Sequence, residues 1–542
     1  MISGRVISGS VCGRLVLLMG LLVAPFGQIR AQSDASEGDR PNILLAISDD
    51  QSYPYASAYR AGAVKTPAFD RVASEGVLFN KAFVASPGCS PSRAALLTGR
   101  YPWQIGAAGT HASSFPQKYP VFPNLLAEAG YHVGHTGKGW GPGNWEISGR
   151  EHNPAGPAFE ERTLEPPHNG ISSVDYAGNF ADFLAERSED QPFFFWYGGH
   201  EPHLSYEKGA GRKRGKDPAA ANVPPFLPDV PAVRTDLLDH AVEIEWFDRH
   251  LGQMLRTLEA AGELDNTIIV VTGDNGMPLP RAKANVYEYG IHVPLAIRWG
   301  KEVPGGREVD NLVSLVDLMP TFLEAAGVDP PGTYPVAGRS LMNILTTDAE
   351  GRVDPSREGV FAARERHSSS RFNSLAYPQR ALRTDRYLYI RNFTPERWPA
   401  GAPQKYKEDG SLGPMHGAYH DIDGSTTKTF LVNHRDDPAV RRYFHLAVDR
   451  RPGEELYDVR EDPGCLNNLA ENPEYAKVLK RLRSRMNAYL KKTGDPRVTG
   501  SGNVFETYKR YSHLRKFPVP DWAQEQKDVF RPDWLPSRET NY

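Results

Sequence analysis

Short apolar runs alternate with amphipathic stretches over roughly the first two thirds of the chain. Because buried strands that alternate with helices form parallel sheets covered on both faces, the pattern predicts an α/β domain. We expect a large mixed, mostly parallel sheet sandwiched by helices. The runs that predict strands are 41–50, 77–86, 131–138, 192–200, 266–276 and 293–299.

The clearest helical pattern spans residues 235–261, where leucines, Ala241 and Ile244 share one face and Gly262 ends the helix. Thr66-Pro67 has the cap residue and first-turn proline of another helix, which Gly76 closes. A third helix is predicted from Pro91 to Leu97, with Ser90 as its N-cap.

After about residue 355 the pattern changes to short runs typical of antiparallel strands, followed by a basic amphipathic helix at 474–492. We expect this helix to pack its apolar face on the small sheet. The predicted organisation is a larger domain at 41–355, a C-terminal α+β subdomain at 356–495, and an extension at 496–542 that wraps the surface.

The first 31 residues have the pattern of a secretory signal peptide. Arg5 and Arg14 precede the apolar run 15–26, and small residues lead to Ala31; a linker is predicted at 32–40. The run is too short to predict a membrane span, although an uncleaved N-terminal anchor is an alternative. We therefore expect a secreted or periplasmic protein with no membrane span in the mature chain.

Charge and cysteine content narrow the classes of function. The chain has 63 basic and 66 acidic residues, so it lacks the strong basic bias of a nucleic-acid binder. Of its three cysteines, Cys12 lies in the signal peptide, which leaves Cys89 and Cys465. A disulfide between these two is possible in an exported protein, but a chain of this size can build a core without one.

Hard oxygen ligands follow two of the predicted strands. Asp49-Asp50 ends the first strand and Asp274-Asn275 ends the run at 266–276. Ligands in open α/β sheets bind beyond the carboxyl ends of strands, and such oxygens suit Ca²⁺ or Mg²⁺. Either pair alone is weak evidence, because both are also common turn residues.

Cationic side chains follow two other strands and the loop after Asp274-Asn275, which suits a small, highly charged oxyanion such as sulfate or phosphate. They are Lys138, His203 and Lys283. Cys89 precedes a predicted helix N-terminus, which binds anions, so a nucleophile there would face the same oxyanion. An unmodified thiolate is one candidate nucleophile.

The segment Cys89-Ser90-Pro91-Ser92-Arg93, followed by Leu96-Leu97-Thr98-Gly99-Arg100, resembles the C-x-P-S-R…L-T-G-R element of the formylglycine-dependent sulfatases, of the alkaline phosphatase superfamily. The strand-end residues above occur in the order and spacing of that family. The run 274–290 and the segments 364–367 and 377–380 are similar to its heparan N-sulfatase (N-sulfoglucosamine sulfohydrolase) branch.

The resemblance implies a sulfatase, either a sulfuric ester hydrolase or a sulfamidase that cleaves S–N bonds. Its substrate would be a sulfated carbohydrate, such as a glycosaminoglycan or another sulfated polysaccharide fragment. A formylglycine-generating enzyme would oxidise Cys89 to formylglycine, and a hydroxyl of the aldehyde hydrate would attack sulfur. One Ca²⁺ would be held by Asp49, Asp50, Asp274, Asn275 and the modified residue 89.

The resemblance also implies roles for residues at other matching positions. Arg93 would hold the hydrate, Lys138 and Lys283 would clamp sulfate oxygens, and His203 would donate a proton to the leaving atom. Residues in segments similar to the sugar-binding parts of the branch are candidate substrate contacts, although structural hydrogen bonding explains them equally well. They are His111, Arg281, Glu365, His367 and Arg380.

The sequence departs from the family at Trp140, where the family has the histidine that takes a proton as sulfate is released. His135 or His111 could substitute, and His292, where the family has arginine, is assigned no role. A phosphodiesterase or phosphonate hydrolase of the same superfamily is an alternative that the complete C-x-P-S-R motif disfavours. A catalytically silent glycan-binding protein is another, favoured only by Trp140.

Overall fold

The structure is a computed structural model that describes residues 40–524 and 529–536. The predicted signal peptide and nearly all of the predicted linker lie outside the described residues. Within the described part of the chain, no helix is both long and apolar enough to cross a membrane. The domain boundaries at residues 355 and 495 stay predictions.

Fourteen strands and fifteen α-helices form within the described residues. The strands are β1 Asn42–Ser48, β2 Val77–Phe79, β3 Ala82–Phe83, β4 His132–Gly137, β5 Phe193–Gly198, β6 Thr267–Gly273, β7 His292–Val293, β8 Leu295–Arg298, β9 Arg307–Val309, β10 Val313–Ser314, β11 Gly359–Arg364, β12 Gln379–Thr384, β13 Tyr387–Asn392 and β14 Glu454–Asp458.

The helices are α1 Pro67–Ser74, α2 Cys89–Thr98, α3 Phe122–Glu128, α4 Tyr176–Glu186, α5 Ala210–Lys213, α6 Pro231–Ala260, α7 Glu288–Ile291, α8 Leu318–Ala325, α9 Met342–Leu345, α10 Thr426–Asn433, α11 Arg441–Val448, α12 Ala476–Lys492, α13 Pro496–Thr499, α14 Val504–Thr507 and α15 Asp521–Gln524. Thr66 precedes α1 as predicted, but its hydroxyl accepts a hydrogen bond from the Ser57 N–H instead of capping the helix.

In the described residues the largest sheet has the strand order β4–β5–β1–β6–β8–β2–β9. Its first four strands are parallel to one another, whereas β8 runs antiparallel to both β6 and β2. The predicted mixed, mostly parallel sheet is therefore confirmed. The prediction of one strand over 77–86 is wrong, because the chain leaves the large sheet after β2 and pairs β3 with β7 and β10 in a separate small sheet.

Helices cover both faces of the large sheet, as the uninterrupted apolar runs require. Successive residues of a strand point to opposite faces, so β1 contributes to two cores. Ile43 and Ile47 pack in the core with residues of α2, α3 and α8, whereas Leu44 and Ala46 pack with residues of α1, α4 and α6. All of β1 is buried, which fixes the position of the segment that follows it.

The C-terminal strands form an antiparallel sheet in the order β11–β12–β13–β14, as the sequence predicts. On its basic helix α12, Leu479, Leu482, Met486 and Leu490 lie three or four residues apart and are buried. They pack in one core with Leu382 and other residues of the C-terminal antiparallel sheet, which confirms the packing expected for this helix.

A buried ion pair joins helix α7 to the C-terminal antiparallel sheet. Glu288 of α7 accepts hydrogen bonds from Arg383 of β12 at 2.8 and 3.0 Å, and its Oε1 lies 3.1 Å from His292 Nδ1. Burial raises the pKa of Glu288, but the neighbouring Arg383 outweighs it and lowers the pKa from 4.5 to about 2. Glu288 therefore stabilises the fold as a carboxylate.

Because the pKa of Glu288 is lower in the folded chain than in the unfolded chain, its stabilisation is present above pH 4.5 and is lost as the pH falls towards 2. This lowering of the Glu288 pKa corresponds to about 3 kcal/mol of folding stability. We expect Glu288→Gln to lower the free energy of unfolding by at least about that amount at pH 7 and to flatten its pH dependence below pH 5. Urea unfolding at a series of pH values measures both effects.

The matched control is Glu128→Gln, since Glu128 is an exposed glutamate at the end of α3. It should leave both the free energy of unfolding and its pH dependence close to those of the parent protein. If the free energy of unfolding falls equally steeply below pH 5 in the Glu288→Gln variant and in the parent, the assignment is contradicted.

Candidate active site

The register of the parallel strands brings four strand ends to one level. Ser48 of β1 lies opposite Gly273 of β6, Ile47 lies opposite Gly198 of β5, and Gly198 lies opposite Gly137 of β4. The residues that follow therefore start at the same edge of the sheet. They are Asp49-Asp50 after β1, Lys138 after β4, His200–His203 after β5 and Asp274-Asn275 after β6.

Three carboxylates and a thiol converge at this edge. Cys89 Sγ lies 3.4 Å from Asp49 Oδ1 and 3.8 Å from Asp50 Oδ1, and the Asp50 N–H donates to Asp274 Oδ1 at 3.0 Å. One ligand atom from each of these four residues lies within 4.8 Å of the others. All four are buried, so the charges of the three carboxylates are removed from water.

Cys89 is the first residue of α2, one helical turn before Arg93. The predicted start of this helix is wrong by two residues, because extended Gly88 is the N-cap and the Ser90 hydroxyl instead accepts the Ala112 N–H. Arg93, on the same face as Cys89, donates through Nε to Asp274 Oδ2 at 2.7 Å. Its Nη1 donates to Lys138 O at 2.5 Å, which ties α2 to the end of β4.

Two lysines neutralise the aspartates. Lys138 Nζ lies 2.5 Å from Asp49 Oδ2, and Lys283 Nζ lies 2.6 Å from Asp50 Oδ2. Burial raises the pKa of Asp49, but Lys138 and the other nearby cations outweigh it and hold the pKa well below its ordinary value. Burial and the neighbouring Asp49 raise the pKa of the Cys89 thiol, so the unmodified side chain is protonated and a poor nucleophile.

The backbone at Asp50 adopts a conformation that is unusual for a residue with a side chain. Its φ is +74°, in the left-handed region. Two neighbours hold it there, since the Asp50 N–H donates to Asp274 and the Asp50 carbonyl accepts from His240 Nε2 at 3.0 Å. Burial lowers the pKa of His240 to about 4, so the ring is neutral and carries its proton on Nε2. Sequence reasoning missed His240, which lies in the middle of a long helix.

The donor set fits a hard divalent cation. Asn275 Nδ2 donates to Asp50 Oδ1 at 2.7 Å, whereas the buried Asn275 Oδ1 has no hydrogen-bond partner among the described residues. A buried amide oxygen without a partner is costly and is a natural metal ligand. Together with the oxygens of Asp49, Asp50 and Asp274, it forms the set that Ca²⁺ prefers over soft metals.

His203 and Asp423 lie at the mouth of the site. His203 Nδ1 donates to the Leu204 carbonyl at 2.5 Å, which leaves Nε2 facing inwards, 3.7 Å from Asp50 Oδ2. Asp423 Oδ2 lies 2.9 Å from Lys283 Nζ. Burial raises the pKa of Asp423, but the neighbouring Lys283 and His203 outweigh it and lower the pKa to about 2. No motif marks Asp423, so sequence reasoning missed it.

Of the predicted substrate contacts, His111 and His367 lie beside the nucleophile position. Their ring centroids are 4.4 Å apart. A Cβ on Gly88 would lie 2.8 Å from His367 Nδ1 and 3.9 Å from His111 Cδ2, so only glycine fits there without displacing the His367 ring. Burial lowers the pKa of His367 to about 3 and also lowers that of His111. Both rings are neutral.

The other three predicted substrate contacts are fully buried and are used structurally. Arg380 pairs with Glu365 at 2.8 Å and with Asp495 at 2.6 Å, so its charge is neutralised inside the C-terminal part of the chain. Arg281 donates to the carbonyls of Leu446 and Cys465. The structure does not bring Arg281, Glu365 or Arg380 to the site.

Trp140 and the histidines considered as its substitutes occupy defined places. The Trp140 indole N–H donates to Ser90 O at 2.9 Å, so the ring supports the first turn of α2. His135 is tied by Nδ1 to the carbonyls of Gly156 and Pro157, and His292 to Glu288 and Asn80, which gives both structural roles. Of the two histidines considered as substitutes, it is His111 that lies beside the nucleophile position.

The disulfide considered between Cys89 and Cys465 is not formed. Within the described residues, Cys89 and Cys465 are both buried free thiols. Cys465 lies in the turn after β14, where its carbonyl accepts a hydrogen bond from Arg281.

Comparison with known proteins agrees with this geometry. A family model described as "Sulfatase" matches residues 41–328, and one described as "N-sulphoglucosamine sulphohydrolase, C-terminal" matches residues 282–399. The chain is 28% identical over 536 residues to N-sulphoglucosamine sulphohydrolase of Homo sapiens, covering 91% of this chain and 96% of that protein. It is also 28% identical to an ulvan-active sulfatase of Formosa agariphila, covering 84% and 76%.

Solved structures share the fold. BT4656 in complex with its substrate D-glucosamine-2-N,6-O-disulfate aligns with a TM-score of 0.60 at 20% identity, covering 84% of this chain and 99% of that one. BT1596, a 2-O GAG sulfatase, aligns with a TM-score of 0.57 at 20% identity, covering 88% and 98%.

The structural role of Arg380 is testable. Removing one member of a buried charge network leaves the others uncompensated, so we expect Arg380→Ala to lower the free energy of unfolding by about 3–5 kcal/mol. Arg386→Ala is the matched control, because Arg386 is 49% exposed and pairs with Asp458 on the same sheet; it should lower the free energy of unfolding far less. Urea unfolding compares the two, and equal losses would contradict the assignment.

Proposed function

Because the chain belongs to the sulfatase family, we propose that it is an exported enzyme that hydrolyses the sulfate esters or N-sulfates of a sulfated carbohydrate and releases inorganic sulfate. The substrate class is a glycosaminoglycan or another sulfated polysaccharide fragment. The observation that carries the proposal is the placement of Cys89 at the first turn of α2, 3.4 Å from Asp49, among three aspartates and two lysines.

The nucleophile in this proposal is residue 89 after oxidation to formylglycine by a formylglycine-generating enzyme. That group supplies an aldehyde hydrate, one hydroxyl of which attacks the sulfur of the substrate. Arg93 is placed to hold the side chain at position 89, since both lie on one face of α2 and Arg93 is fixed by Asp274 and the Lys138 carbonyl. Trp140 holds the helix start through its hydrogen bond to the Ser90 carbonyl.

The metal in this proposal is Ca²⁺, held by Asp49, Asp50, Asp274, Asn275 and residue 89. When bound, it supplies positive charge that activates the nucleophile and offsets charge that develops on sulfate oxygens. The same cation would compensate the three carboxylates, so Lys138 and Lys283 can direct ammonium protons to sulfate oxygens. Hydrogen-bond donors that are fixed before the substrate binds stabilise the transition state.

His203 is the proposed proton donor to the leaving oxygen or nitrogen. Its Nδ1 proton is committed to the Leu204 carbonyl, so Nε2 is the atom available to the substrate. His203 is 37% exposed at the mouth of the site, where the sugar would leave. His111 is the proposed base for release of sulfate, because its buried Nδ1 has no partner among the described residues and its ring is neutral.

We expect the tryptic peptide 82–93 to carry an aldehyde at position 89 when the protein is made in its native host. Mass spectrometry would then show CHO in place of the cysteine CH2SH. Cys465 is the internal control, because it is also a buried thiol but lies outside the motif. A peptide that contains only the unmodified thiol would contradict the mechanism.

The same assignment predicts that Cys89→Ala lowers the rate of sulfate release by about 10³-fold or more, since a lost nucleophile cannot be replaced by binding alone. Assays with a panel of O- and N-sulfated sugars would measure free sulfate. Full activity in the variant would exclude residue 89 as the nucleophile, and hydrolysis of phosphodiesters in place of sulfates would favour the phosphodiesterase alternative.

Metal removal should lower both stability and activity. We expect EGTA treatment to lower the melting temperature, because three buried carboxylates lose their cation, and Ca²⁺ to restore it; binding at 100 times Kd is worth about 2.7 kcal/mol. In Asn275→Ala, the increase in melting temperature on adding Ca²⁺ should shrink. An identical Ca²⁺ response in the parent and the variant would contradict the ligand assignment.

A further inference from the structure

Asp423 places a negative charge where an anionic substrate must enter. Its carboxylate lies at the mouth of the site, where its side chain is 26% exposed and its Oδ2 is 2.9 Å from Lys283 Nζ. The release of sulfate as described does not use this group. A carboxylate beside a sulfate repels it, so its presence requires a compensating contact with the substrate or with Lys283.

The segment that carries Asp423 is held rigidly. The buried Lys428 Nζ donates to the carbonyls of Tyr419 and Ile422, at 3.2 and 2.8 Å. Tyr419 itself is held in the left-handed region, with φ of +49°. Buried contacts on the residues just before Asp423 therefore fix its position before a substrate binds, as in preorganised binding sites.

A second set of contacts fixes the neighbouring Asp421. Its carboxylate pairs with Arg364 at 2.6 Å and with Arg371 at 2.5 Å, and it also accepts the Ser368 N–H at 3.0 Å. All four side chains are buried. A buried cluster of charges therefore holds in place the segment that carries Asp423.

The direction of the Asp423 carboxylate identifies what it can contact. One of its oxygens lies within 4.8 Å of both a ring nitrogen of His203 and an oxygen of Asp50. Because Nδ1 of His203 is bound to the Leu204 carbonyl, Nε2 is the free nitrogen, and the leaving atom of a substrate would sit beside it. Asp423 is therefore next to the proposed position of the bond that breaks.

We propose that Asp423 is a specificity-determining residue that accepts a hydrogen bond from the N–H of a sulfamate and so favours N-sulfated amino sugars over sulfate esters. This inference rests on the proposed function. A sulfamate nitrogen carries a hydrogen that a carboxylate can accept, whereas the bridging oxygen of an ester offers only lone pairs, which the carboxylate repels.

The chemistry of S–N cleavage strengthens this contact as the reaction proceeds. The sulfo group passes to the nucleophile at position 89, and the electron pair of the S–N bond stays on nitrogen. That nitrogen takes the proton from His203 Nε2 and leaves as an amine with two N–H groups. Because positive charge develops on nitrogen as the proton arrives, a carboxylate beside it stabilises the transition state more than the ground state.

The test compares kcat/KM for N-sulfoglucosamine and N-acetylglucosamine-6-O-sulfate in the parent protein and in Asp423→Asn. We expect kcat/KM for the sulfamate to fall by about tenfold or more, because Asn keeps an acceptor oxygen but loses the charge that makes the hydrogen bond strong, and the value for the ester to change by less than about threefold. Asp423→Ser is the second variant if Asp423→Asn folds poorly, with melting temperatures as the check on folding.

Asp436→Asn is the matched control, because Asp436 is an 87% exposed carboxylate in the C-terminal part of the chain. It removes the same charge and should leave both values of kcat/KM unchanged. Equal losses on both substrates in Asp423→Asn would overturn the inference and leave Asp423 only to hold Lys283.

The parent protein separates this inference from the proposed function. If it releases sulfate from esters but not from N-sulfoglucosamine, the inference is wrong and the proposed function stands. If it carries the aldehyde at position 89 but releases sulfate from neither class of substrate, the proposed function itself fails.

Discussion

Three carboxylates buried within a few ångströms of one another are the constraint around which this molecule is organised. Burial of a charge is tolerated only when it is paired, and here every aspartate has a cationic partner from a different element. Asp49 pairs with the lysine after β4, Asp50 with Lys283, and Asp274 with an arginine of α2. The flush ends of the parallel strands make this convergence possible, and the cations make it stable.

The C-terminal part of the chain completes the site that the large sheet begins. It contributes His367 beside the nucleophile position and Asp423 at the mouth, and the ion pair between Glu288 and Arg383 joins it to α7. The buried charges of Arg380 and Asp421 then fix the elements that carry these side chains. Polar burial in this region therefore serves mainly to position loops.

Sequence reasoning predicted the parts of the structure that local patterns encode. The parallel strands could be located because each is apolar on both faces, and the residues at their ends followed from the rule that such ends share one edge. The aspartates were found this way, whereas Cys89 was found by its place before a predicted helix and Arg93 by the family motif. The single strand predicted over 77–86 failed because the switch from β2 to β3 depends on partners far along the chain.

Residues whose roles depend on tertiary contacts were not found from the sequence. Asp423 stands in a loop without periodicity, and His240 looks like any other residue of a long helix. Arg281, Glu365 and Arg380 were expected at the substrate because they lie in segments similar to the sugar-binding parts of the family branch. Their burial with opposite charges or backbone carbonyls is a property of the folded chain alone.

The burial of Cys89 also sets an order of events in the life of the chain. In the folded protein its side chain is 1% exposed, enclosed by α2 and the loops after β1 and β6. A second protein that modifies this thiol cannot reach it in the folded chain. Any such maturation therefore has to precede the folding of this segment, so the rate of folding limits the time available for it.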